Sequence, residues 1–386
     1  MALPFSTLRH LATTLLVSSL LYFSFLISLA ASPSLQAHVL YLHSVGKTWL
    51  RNATEPEHFG FLPGQVTPFH FSTSDGESLH AWHILPLATY LTHQTALIAG
   101  NQTRTILADD PDAFLVIYFH GTAGNLASGW RPPGYRALSA GDPERIHVLA
   151  FDYRGFGLSS STPPTEPGLV EDGIAAVRWA LDAGAPASRI VLYGQSLGAA
   201  VALGTAARMA DYDFAGLVLT AGFADVRSLT ATYRVIGVLP LLAPIARFPA
   251  LVDFFNGYLT STWRSADRLA EYVRVREGRG GRYRVTILHA RDDITILPEH
   301  SNVLYWRAVA AAQNQSVGYE EFSERKDTRL FGKQGGWFAE HRSNTGVIRQ
   351  EMLPNGGHNR IVTYPAASAA VLSTIMAAAA VADTKS

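Results

Sequence analysis

Gly194-Gln195-Ser196-Leu197-Gly198 sets one serine between two glycines, directly after the apolar run SRIVLYG (188–194) and before an alanine-rich stretch. A serine hydroxyl is a weak nucleophile at its own pKa and attacks a carbonyl only beside a base. A Gly-x-Ser-x-Gly turn from strand to helix lifts that hydroxyl out of the sheet, and Gly194 and Gly198 leave room where side chains would crowd the turn. The helix that begins after Ser196 aims its N-terminal amides at the same point, which favours a developing oxyanion. A plain glycine turn holding a structural serine is the competing reading. The rest of the chain has to supply a base, an acid and an oxyanion pocket.

Three further segments bear on this. His120-Gly121-Thr122-Ala123-Gly124-Asn125 follows the apolar run AFLVIYF, and a His-Gly loop after a third strand can turn a backbone N–H into the site. The Thr122 and Leu197 amides are therefore the expected oxyanion hole, with His120 and Gly121 as loop-orienting residues. The acid candidates are Asp292 and Asp293 in ILHARDDITILP, and the base candidate is His358 in PNGGHNRI. Asp293 is preferred because it sits further past the strand end, where a carboxylate can reach an imidazole and fix its tautomer. His341 is a rival base, placed well below His358 because no strand run ends beside it.

These segments need elements to position them. Short apolar runs at 113–120, 145–153, 188–194, 214–221 and 282–290 alternate with helical stretches, among them 168–183 and 198–210. Continuous apolar strands separated by helices indicate a mostly parallel sheet covered on both faces, an α/β architecture whose reacting groups gather at the carboxyl ends of the strands. Residues 66–86 alternate and turn at Asp75-Gly76, which predicts a β-hairpin. Residues 87–112 read as a connection, and 324–347 as a long polar insertion ahead of the His358 loop.

Composition narrows the function. The 386 residues carry 31 Lys+Arg against 31 Asp+Glu, so no net field draws nucleic acid or an acidic partner. With no cysteine, disulfides, thiolate metal sites, a cysteine nucleophile and S-palmitoyl anchoring are excluded. No metal site, dinucleotide fingerprint or phosphate loop is present in the pattern, and the chemistry above requires no cofactor.

Residues 11–31 are uncharged and match the ~20 residues that cross a bilayer as a helix. Residues 1–31 are thus expected to be a membrane anchor, with a cleaved signal peptide as the alternative, followed by a juxtamembrane segment (32–58) and the main domain (59–386). Sequons at Asn52, Asn101 and Asn314 favour a lumenal body on an endoplasmic reticulum or other endomembrane, or secretion if the segment is removed. The run 235–259, broken by Pro240, Pro244 and Pro249 and interrupted by Arg247, is no membrane span. It is read as part of a cap inserted at about 225–270 after the sixth strand.

YFHGTAGN, FDYRGFGLSS, LYGQSLGAA, LHARDD and GGHNR, in that order, resemble the α/β-hydrolase family over roughly residues 60 to 380. More narrowly, the chain resembles its branch of membrane-anchored monoacylglycerol lipases and lysophospholipases, lysophosphatidylserine lipase included. The resemblance implies an α/β-hydrolase fold, Ser196 as nucleophile, Asp293 as acid, His358 as base, and Asp152 to Gly157 as a structural loop beside the site. Thr122 stands where many relatives carry Asn, a departure that matters little when the backbone amide acts. The expected substrate is a lipid-like carboxylic ester. Two rival readings remain: an acyl-protein thioesterase, disfavoured because that branch attaches through cysteines, and a non-catalytic membrane scaffold, which has no need of a complete triad.

Overall fold

The computed structural model describes residues 5–45, 51–100, 103–230, 234–235, 239–240 and 242–383. The chain begins with helices α1 (Phe5–Ala31) and α2 (Pro33–Tyr41), then strands β1 (Val66–Ser72) and β2 (Ser78–Ile84) and helices α3 (Leu87–Ile98) and α4 (Thr103–Asp109). The central part runs β3 (Phe114–Phe119), α5 (Arg131–Ser139), β4 (Ile146–Phe151), α6 (Glu166–Asp182), β5 (Ile190–Gln195), α7 (Leu197–Arg208) and β6 (Gly216–Thr220). A segment of short pieces follows: α8 (Val226–Thr230), β7 (Arg234–Val235), β8 (Leu239–Pro240) and α9 (Pro249–Asn256). The chain closes with α10 (Ser265–Gly278), β9 (Tyr283–Ala290), α11 (Glu299–Ala312), α12 (Tyr319–Arg325), β10 (Arg329–Phe331), β11 (Gly336–Arg342), β12 (Gly346–Leu353) and α13 (Pro365–Asp383).

Among the described residues one ten-stranded sheet has the order β1-β2-β4-β3-β5-β6-β9-β12-β11-β10. The six strands from β4 to β12 are parallel, and antiparallel pairs flank them at both edges. Successive side chains point to opposite faces, so Leu115, Ile117 and Phe119 of β3 enter one core with α6, α7, α10 and α11. Phe114, Val116 and Tyr118 enter the other core with α5 and α13. That double burial is why these strands read as unbroken apolar runs.

The predicted hairpin is β1–β2, closed by a turn in which Gly76 takes φ 89°. Residues 87–112 are not a bare connection, because they contain α3 and α4. The polar stretch 324–347 contains β10 and β11, which extend the sheet at its edge, where one exposed face accepts charged side chains. Helix α10 packs on α7 and α11 as part of the layer covering the sheet, so the inserted segment after β6 ends before Ser265.

The N-terminal region forms two helices with contacts to the rest of the chain. Helix α1 contains a stretch, Ser6–Ala31, in which an 18-residue window has a mean hydropathy of 2.0, long and apolar enough to cross a membrane. Its last turns do not stand free, since Leu26 is buried with Leu242, Ile245 and Phe255 of the inserted segment. Helix α2 starts at the Ser32 side chain, which accepts from the Leu35 N–H (3.2 Å). It ends at Tyr41, which lies in the main core. The juxtamembrane segment is thus helical over Pro33–Tyr41 and packs against the main core through Tyr41.

Candidate active site

Ser196 joins β5 to α7 with φ 55° and ψ −120°, a conformation rare outside glycine that marks a strained turn. The two glycines have separate steric reasons. A Cβ on Gly194 would lie 2.5 Å from the Gly198 carbonyl, and one on Gly198 would collide with the Phe119 carbonyl of β3. The Ser196 N–H donates to the Thr220 carbonyl at the end of β6 (3.0 Å). The hydroxyl is thereby held at the carboxyl end of the sheet, with Leu197 as the first residue of α7.

His358 Nε2 lies 3.0 Å from Ser196 Oγ, and His358 Nδ1 lies 2.8 Å from Asp293 Oδ2. A carboxylate accepts only, so the proton sits on Nδ1 and the Nε2 lone pair faces the serine. Asp293 is itself fixed: its Oδ1 accepts from the Thr295 and Ile296 amides (2.9 and 3.0 Å). Burial alone would raise the Asp293 carboxyl, but the bonds from His289 and His358 override it and hold it well below the usual carboxylate range. Asp292 serves the same loop differently, with its Oδ1 accepting from the Gly357 N–H (2.8 Å). His341 is on β11 opposite Ile348, in the edge hairpin and away from Ser196.

The His120 loop lies against the elbow, since a Cβ on Gly121 would come within 3.2 Å of Ser196 Cβ. Arg131 gathers the loop's carbonyls, donating to Gly121 O (2.8 Å), Thr122 O (3.3 Å), Ala123 O (2.7 Å) and Asn125 O (2.5 Å). His120 Nδ1 also donates to Gly121 O (2.8 Å). In a trans peptide the N–H points opposite the preceding C=O, so the Thr122 N–H is turned away from Arg131. Among the described residues neither the Thr122 nor the Leu197 amide has a protein acceptor. Two amides without partners flank one nucleophile.

Several supporting residues were not singled out by sequence. Gln195, the variable residue of the elbow, donates to the His358 carbonyl (3.3 Å) and Asn359 Oδ1 (3.4 Å). His289 on β9 sits beneath Asp293, its Nε2 near Asp293 Oδ2 (3.2 Å) and Ile296 O (3.0 Å). Asp152 opens the expected structural loop, accepting from the Leu126 N–H (2.6 Å). From outside, the Ala123 and Gly124 amides donate to the carbonyls of Tyr41 (3.0 Å) and Val45 (2.8 Å). These two loop residues take φ 63° and 66°, so the N-terminal segment clamps a strained loop. Asp152 and the DD pair, each just past a strand run, carried a visible signal; contacts through backbone carbonyls leave none. Of the glycosylation candidates, Asn52 and Asn314 are exposed, and Asn101 lies outside the described residues.

A fold of this topology with this elbow can be compared with known proteins. The alpha/beta hydrolase family matches residues 115–371. The chain belongs to that family. Among curated relatives, the lysophosphatidylserine lipase ABHD12 of Danio rerio is 25% identical over 299 residues, covering 77% of this chain and 72% of its own. The Xenopus tropicalis protein of the same name is 23% identical over 286 residues, covering 73% and 67%. Among solved structures, the esterase Pf2001 of Pyrococcus furiosus aligns with a TM-score of 0.52 at 16% identity, over 86% of this chain and 97% of its own. At that identity the likeness supports the α/β-hydrolase fold alone.

Proposed function

We propose that this chain is a membrane-anchored serine hydrolase cleaving carboxylic esters of lipids, monoacylglycerols or lysophospholipids, through an acyl-enzyme. The observation that carries the reading is the continuous chain Asp293–His358–Ser196, ending on a strained elbow at the N-terminus of α7. In this mechanism His358 Nε2 takes the Ser196 proton as Oγ attacks the ester carbonyl, and the Thr122 and Leu197 amides hold the resulting oxyanion. Asp293 stabilises the imidazolium. His358 then protonates the departing alcohol, and a water molecule, deprotonated by the same imidazole, cleaves the acyl-enzyme to carboxylic acid and free serine. The two relatives named as lysophosphatidylserine lipases support a lipid ester over a small soluble one.

Helix α1 supports anchoring by its length and hydropathy. The exposed sequons at Asn52 and Asn314 support a single-pass arrangement with the hydrolase body on the lumenal side. A fluorophosphonate probe is expected to label the wild type and not Ser196→Ala, and labelling that survives the substitution rejects the nucleophile. Hydrolysis of a panel of lysophospholipids, monoacylglycerols and acyl-thioesters then identifies the ester class. A mobility shift on glycosidase treatment checks the orientation.

A further inference from the structure

Arg131 is buried, and it is the first residue of α5. Two effects count against a cation at that place. The N-terminus of a helix is the positive end of its dipole, and a buried charge is costly unless it is paired. Among the described residues the Arg131 side chain bonds to four backbone carbonyls and to no carboxylate. Stability alone gives no reason for a charge here, since the loop could be braced by neutral donors.

The four carbonyls point to a reason. Each belongs to a peptide unit whose N–H lies on the next residue and points the opposite way. Three of those N–H groups have acceptors: Ala123 on Tyr41 O (3.0 Å), Gly124 on Val45 O (2.8 Å) and Leu126 on Asp152 Oδ1 (2.6 Å). The fourth is Thr122, whose N–H has no protein acceptor among the described residues. The carbonyl of that one peptide, Gly121 O, receives two donors, Arg131 Nη2 (2.8 Å) and His120 Nδ1 (2.8 Å). Donation to a carbonyl polarises its peptide and makes the N–H at the other end a stronger donor. An ionised donor does this more than a neutral one. The most heavily polarised peptide of the loop is thus the one whose N–H is free, and its Gly121 lies against Ser196.

We propose that Arg131 is the positioning residue of the oxyanion hole: it fixes the Gly121–Thr122 peptide and lends its charge to the Thr122 N–H. The proposal rests on the hydrolase reading above. Arg131 touches no substrate and acts through that peptide. In the resting enzyme its charge is unpaired. When Ser196 Oγ adds to the ester carbonyl, the oxyanion forms one peptide unit away and supplies the missing counter-charge. An interaction that strengthens only as the transition state forms raises kcat rather than lowering KM.

The test uses the full-length protein in detergent micelles with p-nitrophenyl acetate as substrate. An alkyl trifluoromethyl ketone, whose adduct with a serine carries an oxyanion, serves as the transition-state analogue. Arg131→Met is expected to lower kcat by about 10²-fold, the effect of losing one oxyanion donor. KM should stay near wild type while the ketone weakens in the same proportion as kcat/KM. Arg131→Lys keeps the charge without the planar fork, and its kcat is expected about tenfold below wild type. Asp152→Asn unties the same loop at Leu126 without touching the cation, and should leave ketone affinity close to wild type. Arg131→Met with kcat and ketone affinity within about threefold of wild type overturns the proposal. So does a loss carried by KM alone, or an equal loss of ketone affinity in Asp152→Asn, since either makes Arg131 one brace among several. If thermal denaturation shows the methionine variant unfolded, Arg131→Gln replaces it and is judged by the same outcomes. A wild type that neither cleaves the ester nor takes the fluorophosphonate probe rejects the hydrolase reading itself, and this role with it.

Discussion

Asp293 and Asp152 are both buried carboxylates facing two histidines, yet their surroundings differ in ways that separate chemistry from support. Asp293 receives four donors within 3.2 Å, two amides and the imidazoles of His358 and His289, and its partner His358 continues to a hydroxyl. Asp152 receives the Leu126 amide, while His120 Nε2 stands 3.4 Å away and His80 Nδ1 3.8 Å away. Among the described residues no nucleophile is hydrogen-bonded to either imidazole of that second cluster, and both its histidines are fully buried. Burial would raise Asp152 too, and its interactions with His120 and His80 hold it lowered instead. Similar residue types therefore give similar electrostatics at both places. What distinguishes the first is saturation of the carboxylate, which fixes one imidazole orientation, and a serine within reach of it. The second carboxylate ties the loop after β3 to the loop after β4, acting as a brace.

The sharpest way to break this contrast is to neutralise each aspartate in turn. Asp293→Asn keeps the shape but offers an N–H where His358 needs an acceptor, so kcat for an activated ester is expected to fall about 10⁴-fold. A loss below tenfold would show that Asp293 does not orient the base. Asp152→Asn is expected to change kcat less than about tenfold, a barrier change under about 1.4 kcal/mol. Its cost should appear in denaturant unfolding, at about 1–3 kcal/mol for a disturbed buried polar group. If Asp152→Asn silences the enzyme while leaving its stability intact, the brace is a participant in the reaction and the contrast fails.

A separate effect comes from histidines outside both clusters. Burial lowers His147 to about 3 and His300 to about 4, against about 6.5 in an unfolded chain. The unfolded state therefore binds more protons. Stability is fully present above about pH 6.5 and falls as the pH drops towards 4, by about 1.4 kcal/mol per pH unit per histidine. The urea midpoint should be lower at about pH 5 than at about pH 7.5. Asp293 and Asp152 titrate below this window, while burial raises Asp172 to about 6, which offsets part of the histidine effect as the pH falls. A flat midpoint across this range would mean that these imidazoles bind protons alike in the folded and unfolded states.

The parts of the molecule that the sequence made legible are those where one side chain or one period carries the signal. The doubly buried strands β3 to β6 and β9 appear as apolar runs, and the helices after them as alanine-rich stretches. Ser196, Asp293 and His358 each sit just past such a run or in a glycine turn, and the fold brings them within hydrogen-bonding distance. Strands β10 to β12 were hidden because polar residues interrupt their apolar pattern, as Arg349, the buried Gln350 and Glu351 do in β12. Arg131 was hidden for another reason: it acts on four backbone carbonyls, which any sequence provides. The same holds for residues 32–45, whose most informative contacts run from main chain to main chain.

Those contacts set where the enzyme begins. The Tyr41 and Val45 carbonyls hold the loop that carries Thr122, and Tyr41 OH reaches Ser261 and Trp263 Nε1 (2.8 and 3.2 Å). A soluble form trimmed at residue 58, where the family-like portion starts, would discard the outer brace of that loop. Trimming at Ser32 would keep it, along with the cap of α2. The boundary that matters for preparing a water-soluble enzyme is thus the end of the apolar helix, not the start of the hydrolase-like fold.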